Sequence, residues 1–430
     1  MIDVTDLQNR PEEYQKAANV KGIDISVKEF LTLDELRREL TKRVDEMRAE
    51  KNAVSKKIPT MKDTEKNDAI ADMKKLDGML GKNEEQLRDT EHDWMNMLLR
   101  LPNIPHSDTP IGKDDRENVE VKQWPDPSTK LKVTPKGVKD HVQLGEDLDI
   151  IDIPRGVKIA GSRSYFLKGA AVQLELALLH YTLDHLIAKG FTAFAPPVLT
   201  HKDCLIGTGF FPGAEEQTYA LKDDDLYLIG TSEVSVCSYH KDETLDISTL
   251  PKRYCGISNC FRREAGTYGK DTKGLYRVHQ FQKVEQVILC EADEKKALEL
   301  FEEIRTHAED ILQSLELPYR VVQVCTGDMG QGKVCMQDIE TWMPSRNSYG
   351  ETHSCSYLGD FQARRLNIKY TDGNGDRHFV HTINNTCIAS PRILIPLIET
   401  YQNADGSITV PTVLRAYMGG RENIAVSGTL

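Results

Sequence analysis

Residues 261–285 form a basic, glycine-rich segment whose residue types point most directly to chemistry. The segment reads FRREAGTYGKDTKGLYRVHQFQKVE, with six Lys or Arg residues, three glycines and a carboxylate at its end. The whole chain carries a formal net charge of −12, so binding of polyanions over the entire surface is not expected. Positive charge concentrated in one segment therefore indicates an anion bound at one site.

The positions of Arg262, Glu264 and Glu285 suggest which anion this is. Arg262 and Glu264 are two residues apart, so on a strand their side chains point the same way. An arginine fork on a rigid strand suits bidentate contact with phosphate. Glu285 could hold an ammonium group or take a proton from a nucleophile. Activation of an amino acid by ATP needs both features. The alternative is a cross-strand ladder of ion pairs, Arg262–Glu285 or Lys283–Glu264.

The surrounding sequence predicts the elements that position these side chains. RYCGISNCF and LYRVHQFQKVEQVILC read as two strands, joined by GTYGKDTKG as a mobile basic tongue. Further strand-like runs occupy residues 226–229 and 319–325, and an amphipathic helix spans 294–317 with Phe301, Ile304, Ala308, Ile311 and Leu315 on one side. Strands and helices do not alternate regularly. We therefore expect an α+β domain with an antiparallel sheet flanked by helices.

A second pattern, in the N-terminal quarter, predicts an antiparallel coiled coil. Apolar residues recur every seven positions in two arms: Leu33, Leu40, Met47 and Val54, then Met73, Leu80, Leu87, Trp94 and Leu101. Pro59 must interrupt the helix between them. Near the tip lie Lys51, Lys56, Lys57, Lys62 and Lys66. A basic tip suits a phosphate backbone and predicts contact with nucleic acid. A dimerisation coil with an ordinary solvated face is the alternative.

The remaining composition limits the class of protein. Prolines between residues 102 and 135, together with GKDDREN, predict a linker. The N-terminus lacks a secretory pattern, and no window has the roughly 20 apolar residues needed to cross a bilayer. The nine cysteines include no C-x-x-C pair. We interpret them as reduced thiols of a cytoplasmic protein, with Cys255 and Cys260 at partly buried strand positions.

Segments along the whole chain, in order, resemble the class II aminoacyl-tRNA synthetases, in their seryl-tRNA synthetase form. The opening segment resembles motif 2, GFTAFAPPVLT motif 1 at a dimer interface, and YLIGTSEV the serine-binding segment. ETHSCSYLGDFQARRLNI resembles the ATP and metal segment, and NNTCIASPRILIPLIETYQNADGSITVPTVLRAYMGG resembles motif 3. The basic hairpin resembles the tRNA-binding arm, and LPNIPH the family's linker.

The resemblance implies a role for each matching residue. Arg262 would hold the α-phosphate of ATP and Arg392 its γ-phosphate, with Glu264 near the adenine. The implied ATP site also includes Arg263, Val278, Glu351, Thr352, His353 and Ser354. Glu351 and Ser354 would bind Mg²⁺, which prefers oxygen ligands. The implied serine site comprises Thr231, Ser232, Glu233, Glu285 and Thr386, with Glu285 on the substrate ammonium. Lys51, Lys56, Lys57 and Lys62 would contact tRNA.

The resemblance also implies an activity and a domain plan. The expected protein is a cytoplasmic homodimer that activates serine with ATP and loads tRNA(Ser), and it contacts neither membranes nor DNA. The sequence leaves open whether tRNA(Sec) is also a substrate. Residues 1–103 would form the tRNA-binding arm, 104–170 a linker and entry segment, and 171–430 the catalytic domain. Two alternatives are an amino-acid ligase that loads a carrier protein and a catalytically silent binding protein; the basic hairpin opposes the first, and the retained site residues oppose the second.

Motif 3 departs from the family pattern, and three other features imitate functional sites. Asn385 and Thr386 would add bulk near the substrate, Ser390 would cap a helix that starts at Pro391, and Pro396 would kink that helix.

GDMGQGKV nearly matches the phosphate-loop pattern, but Val334 replaces the required hydroxyl, so we predict a turn. We interpret His279 as packed or hydrogen-bonded rather than catalytic, and Arg364 and Arg365 as structural pairing.

Overall fold

A computed structural model describes residues 1–126, 138–266 and 273–425, and these residues form two compact units, 1–104 and 105–430. The first unit is helical. Its helices are α1 (Val4–Asn9), α2 (Pro11–Val20), α3 (Val27–Lys57) and α4 (Asp63–Leu98). A single 3-10 turn at Ile58–Thr60, which contains Pro59, joins the two long helices.

The long helices α3 and α4 pair through the predicted sevenfold positions. Leu40, Met47 and Leu80 are buried between them, and Leu87 packs against the same cluster. At the base, Trp94 stacks on Phe30 and donates to the buried Asp34 at 3.0 Å. The predicted hairpin and its break are confirmed. The second helix begins at Asp63, ten residues before Met73, so it extends toward the tip beyond the predicted stripe.

The second unit is built on an eight-stranded sheet. Its strands are β1 (Val119–Trp124), β2 (Thr192–Phe194), β3 (Lys252–Phe261), β4 (Gln280–Cys290), β5 (Tyr319–Gln323), β6 (Cys335–Met343), β7 (Ser348–Tyr357) and β8 (His381–Ser390). Their order across the sheet is β1-β5-β6-β7-β8-β4-β3-β2. Neighbours run antiparallel except for β2 and β3. The expected α+β architecture with an antiparallel sheet is confirmed.

Helices and short ribbons surround this sheet. The helices are α5 (His141–Asp147), α6 (Ile153–Ala160), α7 (Ala170–Ala188), α8 (Lys202–Thr208), α9 (Glu233–Cys237), α10 (Glu294–Ser314), α11 (Phe361–Leu366), α12 (Leu394–Thr400) and α13 (Thr412–Arg415). Short strands pair as Thr244–Asp246 with Lys369–Thr371 and Arg377–Phe379, as Leu199–Thr200 with Leu226–Leu228 and Ala220–Leu221, as Ile151–Asp152 with Phe166–Leu167, and as Ile408–Thr409 with Asn423–Ile424.

The central strands bury different residues on their two faces. On β4, Val284 and Ile288 join the main core with α7 and α10, whereas Val287 and Leu289 pack with α11 on the other face. The five predicted apolar residues of α10 are all buried. Lys283 and Glu285 share the second face, because side chains alternate along a strand. That face carries the site described below.

Two local predictions differ from the structure. The strand expected from Leu275 begins only at Gln280, and the preceding residues turn instead. The expected linker supplies an edge strand, β1, whose register with β5 is irregular between Glu120 and Lys122. The tongue expected at 266–274 lies mostly outside the described residues. In the described ranges, no helix combines the length and the apolar character that crossing a bilayer requires.

Candidate active site

A cavity of about 360 Å³ opens on the α11 face of the sheet. Strands β4, β7 and β8 form its floor, and residues 275–278, 330–333 and 390–392 form its rim. Its walls include Arg262, Glu264, Val278, Glu285, Glu351, Thr352, Ser354, Thr386 and Arg392. Residues separated by up to 130 positions in the sequence therefore meet around one space. A cavity of this size accommodates a small-molecule substrate.

Two arginines enter this cavity from different segments. Arg262 follows β3 directly; its Nε donates to the Gly230 carbonyl at 3.2 Å, and its guanidinium lies over the Phe281 ring. Arg392 follows β8; its Nε donates to the Tyr276 carbonyl at 3.1 Å, and its guanidinium lies over the Tyr276 ring. Each side chain is thus fixed by a carbonyl and an aromatic face. The cavity has two preorganised cationic groups of the type that binds phosphate.

The deepest polar group in the cavity is a buried ion pair between Lys283 and Glu285. The Lys283 Nζ also donates to Thr231 Oγ1 at 2.7 Å and to Thr386 Oγ1 at 3.4 Å. The Thr386 hydroxyl in turn donates to Glu285 Oε2 at 3.2 Å. Glu285 and Thr386 sit directly opposite each other on β4 and β8. The alternative considered for this segment was a cross-strand ladder of ion pairs, Arg262–Glu285 or Lys283–Glu264. Lys283 instead pairs along its own strand, and Glu264 pairs with Arg277 at 3.5 Å.

Glu233, at the start of α9, supplies a second carboxylate to this end of the cavity. Its Oε1 accepts from Gln362 at 2.8 Å and from Asn384 at 3.0 Å. Burial raises the pKa of Glu233, and the nearby negative charge of Glu285 adds to that rise. An ammonium group bound between the two carboxylates would relieve this repulsion.

Glu351 and Ser354, on β7, lie toward the Arg392 side. The Glu351 carboxylate lies 3.7 Å from Arg392 Nη1, and its carbonyl accepts from the same nitrogen at 3.1 Å. Ser354 hydrogen-bonds to Asp338 of β6. Burial, and then the charge of Glu351, raises the pKa of Asp338 well above its usual range. Within the described residues, Asp338 Oδ1 is buried with no hydrogen-bond partner. These oxygen atoms suit a hard divalent cation.

Several expected site residues do not line the cavity. The Arg263 amide bonds to Gln217, Ser232 is buried with its hydroxyl on the Gly256 carbonyl, and His353 is buried with Nδ1 on Thr352. Burial lowers the pKa of His353 to about 3, so its ring is neutral. Arg263, Ser232 and His353 each lie next to a wall residue in the sequence, but none of them lines the cavity. Thr352 does line it, although its hydroxyl bonds to Thr341 at 2.6 Å.

The expectations for motif 3 were partly wrong. Asn385 points away from the cavity, and its Nδ2 donates to the Ile304 carbonyl at 2.6 Å. Ser390 ends β8 and donates to Glu175 at 2.7 Å, so it caps no helix. Pro391 lies in a turn, and α12 starts only at Leu394. Pro396 therefore falls in the first helical turn, where a missing amide hydrogen breaks no helical bond.

Sequence reasoning missed three parts of the cavity. It treated Lys283 only as a possible ladder partner of Glu264, although period-two alternation puts it beside Glu285. It treated GDMGQGKV only as a turn. The turn is present, but Gly330, Gln331, Gly332 and Lys333 also line the cavity. No local pattern marks the third part, the aromatic faces of Tyr276 and Phe281, as supports for the arginines.

Other expectations were confirmed. The His279 ring donates to the Arg262 carbonyl at 3.0 Å, so the expected hydrogen bond is present. Arg364 pairs with Asp360, and Arg365 donates to the carbonyls of Ile206 and Phe211. Cys255 and Cys260 are buried on β3, and all nine cysteines are free. At the hairpin tip Lys56, Lys57 and Lys62 are exposed, whereas Lys51 pairs with Asp77 at 2.6 Å.

Comparison with known families and proteins gives matches along the whole chain. Residues 1–105 match the seryl-tRNA synthetase N-terminal domain, and residues 218–401 match the class II core domain of tRNA synthetases (G, H, P, S and T). The chain is 45% identical to the serine–tRNA ligase of Deinococcus radiodurans, with 98% of both chains covered. It is 42% identical to that of Trichlorobacter lovleyi, covering 99% of this chain and all of the relative.

Solved structures give the same result. Seryl-tRNA synthetase from Pyrococcus horikoshii, complexed with ATP, superposes with a TM-score of 0.89 at 36% identity, covering 99% of this chain and 100% of that one. The cytoplasmic serine–tRNA ligase of Naegleria fowleri, in complex with AMP, gives 0.83 at 31% identity, covering 97% and 96%.

Proposed function

The chain belongs to the seryl-tRNA synthetase family, and from that premise we propose how its cavity activates serine with ATP and passes it to tRNA. The enzyme is an ATP-dependent serine–tRNA ligase. The observation that carries the assignment of residues is the meeting of Arg262, Arg392 and Glu285 around one cavity. The two guanidinium groups suit the phosphates of ATP, and the separate carboxylate of Glu285 suits the ammonium group of an amino acid bound next to it.

ATP would lie along the rim of the cavity. Arg262 contacts the α-phosphate and Arg392 the γ-phosphate, while Glu264 and Val278 adjoin the adenine. Both guanidinium groups are already held by carbonyls and rings, so little reorganisation accompanies binding. Arg263 and His353 have no part in this assignment, because their side chains lie outside the lining.

Serine would occupy the deeper end. Its ammonium binds between Glu285 and Glu233, and its hydroxyl meets Thr231 and Thr386. A site with buried polar groups rejects alanine strongly, since that substrate leaves them unpaired. Rejection of threonine depends instead on the space beside Thr386, which is buried at 8% exposure.

In the first step the serine carboxylate attacks the α-phosphorus and pyrophosphate leaves. The carboxylate is already ionised, so no strong base is required. Catalysis consists of alignment and of neutralising charge on the phosphates, which the two arginines do. In the second step the terminal ribose hydroxyl of tRNA attacks the serine carbonyl, and AMP leaves.

Glu351 and Ser354 would hold Mg²⁺, with Asp338 behind Ser354. The buried, unpartnered Asp338 Oδ1 and the neighbouring Glu351 carboxylate fit a divalent cation. When bound, this ion would neutralise further charge on the phosphates. Glu351 also holds Arg392, so the proposed metal ligand and the γ-phosphate contact are coupled.

The remaining parts of the assignment concern macromolecular partners. Residues 1–103 act as the tRNA-binding arm through the lysines of the hairpin tip, residues 104–170 lead into the catalytic domain, and 171–430 carry the chemistry. Two subunits associate through the region of motif 1; the exposed apolar side chains of Ile187 and Leu199, beside and within that segment, support this. The tRNA substrate and nine free cysteines support a cytoplasmic location.

Serine-dependent exchange of pyrophosphate into ATP, measured together with charging of tRNA, tests this assignment. Arg262→Ala should lower exchange by about 10²–10³-fold, the usual loss for one preorganised transition-state contact. Arg253→Ala is the matched control, because Arg253 lies on β3 outside the cavity and pairs with Glu303. Near-normal exchange by Arg262→Ala would remove that role, and exchange only with another amino acid would overturn the serine site.

A further inference from the structure

His141, the first residue of α5, contacts two distant parts of the catalytic domain at once. It is buried, with Nδ1 2.9 Å from Glu399 Oε1 of α12. Its Nε2 lies 3.2 Å from the backbone nitrogen of Leu275. A backbone N–H can only donate, so Nε2 must be the acceptor and therefore carries no proton. The ring is the neutral tautomer protonated at Nδ1, which donates to Glu399.

Glu399 holds this arrangement through a saturated set of donors. The residue is fully buried, and its carboxylate also accepts from the His141 amide at 3.0 Å. The Ser345 amide and hydroxyl each donate to it at 2.9 Å. These donors surround the carboxylate, and the Nδ1 proton of His141 is directed toward its Oε1.

Gly274 shows how closely the backbone approaches this ring. Its φ is +76°, and a Cβ at this position would come within 2.0 Å of His141 Nε2. Both the conformation and the space therefore require glycine. The described chain resumes at Lys273, whose ammonium pairs with Asp140, the residue before His141, at 2.6 Å. The returning side of the tongue is thus fastened to the start of α5 by two successive contacts.

The residues that follow this anchor belong to the ATP site. The Tyr276 carbonyl accepts from Arg392, and its hydroxyl donates to the Glu351 carbonyl at 3.4 Å. The guanidiniums of Arg392 and Arg346 both lie over its ring. Arg346 directly follows Ser345, which is bound to Glu399. The backbone before Tyr276 and the Arg346 side chain over its ring therefore both belong to segments that the His141–Glu399 pair holds.

We propose that the buried His141–Glu399 pair is a positioning device for the triphosphate end of the site, fixing Leu275–Tyr276 so that Tyr276 can hold Arg392. Neither residue touches the cavity, so the pair acts through Tyr276 and Arg392. This inference depends on the role proposed for Arg392 in binding ATP. It predicts a defect in ATP binding rather than in the use of serine.

The test compares three substitutions in the full chain by ATP–pyrophosphate exchange. His141→Phe keeps an aromatic ring but removes the acceptor, and should raise the KM for ATP about tenfold, as loss of a hydrogen bond worth about 1.4 kcal/mol does. The KM for serine should stay within about twofold. His141→Gln restores an acceptor for the Leu275 amide and should recover most of the ATP affinity. His307→Phe is the control, since it removes another buried histidine, bonded to Gln286, away from the cavity.

Glu399→Gln provides an independent arm. The new amide can donate to His141 Nδ1 and so favours a proton on Nε2, where it opposes the Leu275 N–H. Nitrogen-15 spectra should show His141 protonated at Nδ1 in the wild type and at Nε2 in the variant, with the KM for ATP raised as in His141→Phe.

The outcomes separate this inference from the proposed function. An unchanged KM for ATP in His141→Phe, or one raised no more than in His307→Phe, overturns the positioning role while wild-type exchange still supports the function. Absence of exchange in the wild type would instead reject the function. Whatever the exchange result, a wild-type His141 ring protonated at Nε2 would overturn the proposed positioning by His141 and Glu399.

Discussion

Lys283 and Glu285 form a buried ion pair along one strand, so the carboxylate assigned to the substrate ammonium already has a cation beside it. The serine ammonium must therefore join or partly replace Lys283 at Glu285. Lys283 is fixed by the Thr231 and Thr386 hydroxyls as well, so it lies at the junction between the ammonium and hydroxyl ends of the serine site. Buried pairs are costly to break because one charge is left without compensation.

Substituting Lys283 by Met should lower the free energy of unfolding by about 3–5 kcal/mol, since Glu285 would be buried without its cation. The double variant Lys283→Met/Glu285→Gln should recover most of this loss. Saturating serine should raise the melting temperature of the single variant more than that of the wild type, because its ammonium replaces the missing charge. Chemical denaturation and thermal melting measure these effects.

Lys139→Met is the control for that experiment, because Lys139 pairs with Asp147 at the surface and such pairs contribute at most about 1 kcal/mol. If Lys283→Met were no less stable than Lys139→Met, the Lys283–Glu285 pair would contribute nothing to the free energy of unfolding.

The exposed lysines of the hairpin tip should determine the affinity for tRNA without affecting amino-acid activation. Lys57→Glu should raise the KM for tRNA in charging, and the plot of log affinity against log salt should flatten by about 0.7–0.9 per lost phosphate contact. Lys51→Glu should have a smaller effect, since Asp77 already neutralises Lys51. Pyrophosphate exchange should be unchanged in both.

Lys42→Glu is the matched control for the tip lysines, because Lys42 is exposed on the same helix but far from the tip. Equal effects of Lys42→Glu and Lys57→Glu would indicate a general loss of charge and would reject a specific contact at the tip.

Glu351 should set the requirement for divalent metal. Glu351→Gln removes the charged ligand but keeps the shape, so the Mg²⁺ concentration for half-maximal exchange should rise at least about tenfold, in line with losses of 10–100-fold at altered metal sites. Mn²⁺ binding followed by electron paramagnetic resonance tests the site without catalysis. Glu340→Gln, across the strand pair from Glu351 and bonded to Arg320, should leave the metal requirement unchanged. Equal metal affinity of Glu351→Gln and the wild type would exclude Glu351 as a ligand.

The sequence could predict those parts of the molecule that a periodic spacing or a local motif identifies. The heptads predicted the hairpin, and the motifs that contain Arg262 and Glu285, Glu351, and Arg392 identified three segments that meet at the cavity. The predicted sites also included Ser232, Arg263 and His353, because they lie in the same motifs, but these three residues do not line the cavity. Strand alternation and local turns direct their side chains elsewhere, and motif matching alone does not resolve direction.

Other features could not be predicted because they depend on contacts between distant segments. His141 and Glu399 are 258 positions apart, and nothing in either local sequence indicates the other. The turn at 330–333 lines the cavity only because the connection between β5 and β6 folds over it. Ser390 and Pro391 satisfy the pattern of a helix start, but the last pairs of β8 with β4 hold Ser390 in the strand and delay the helix to Leu394.

Thr386 should determine whether threonine is excluded. Its hydroxyl bonds to Glu285, and in the proposed assignment its methyl group would limit the space beside the serine hydroxyl. Thr386→Ser keeps the hydroxyl and removes the methyl, so kcat/KM for threonine relative to serine should rise about tenfold or more, as expected for space equal to one methylene. Thr386→Val keeps the volume but loses the hydroxyl, and should lower activity with serine without admitting threonine. Exchange measured with each amino acid gives the ratios.

Thr382→Ser is the control for this prediction, because Thr382 lies on the same strand, is fully buried and bonds to Gln362 outside the cavity. It loses the same methyl group, so any general loosening of β8 should appear there too. An increase confined to Thr386→Ser would identify the methyl as the limit on substrate size. An unchanged preference in Thr386→Ser would mean that another wall, such as the Glu233–Asn384 contact, excludes threonine instead.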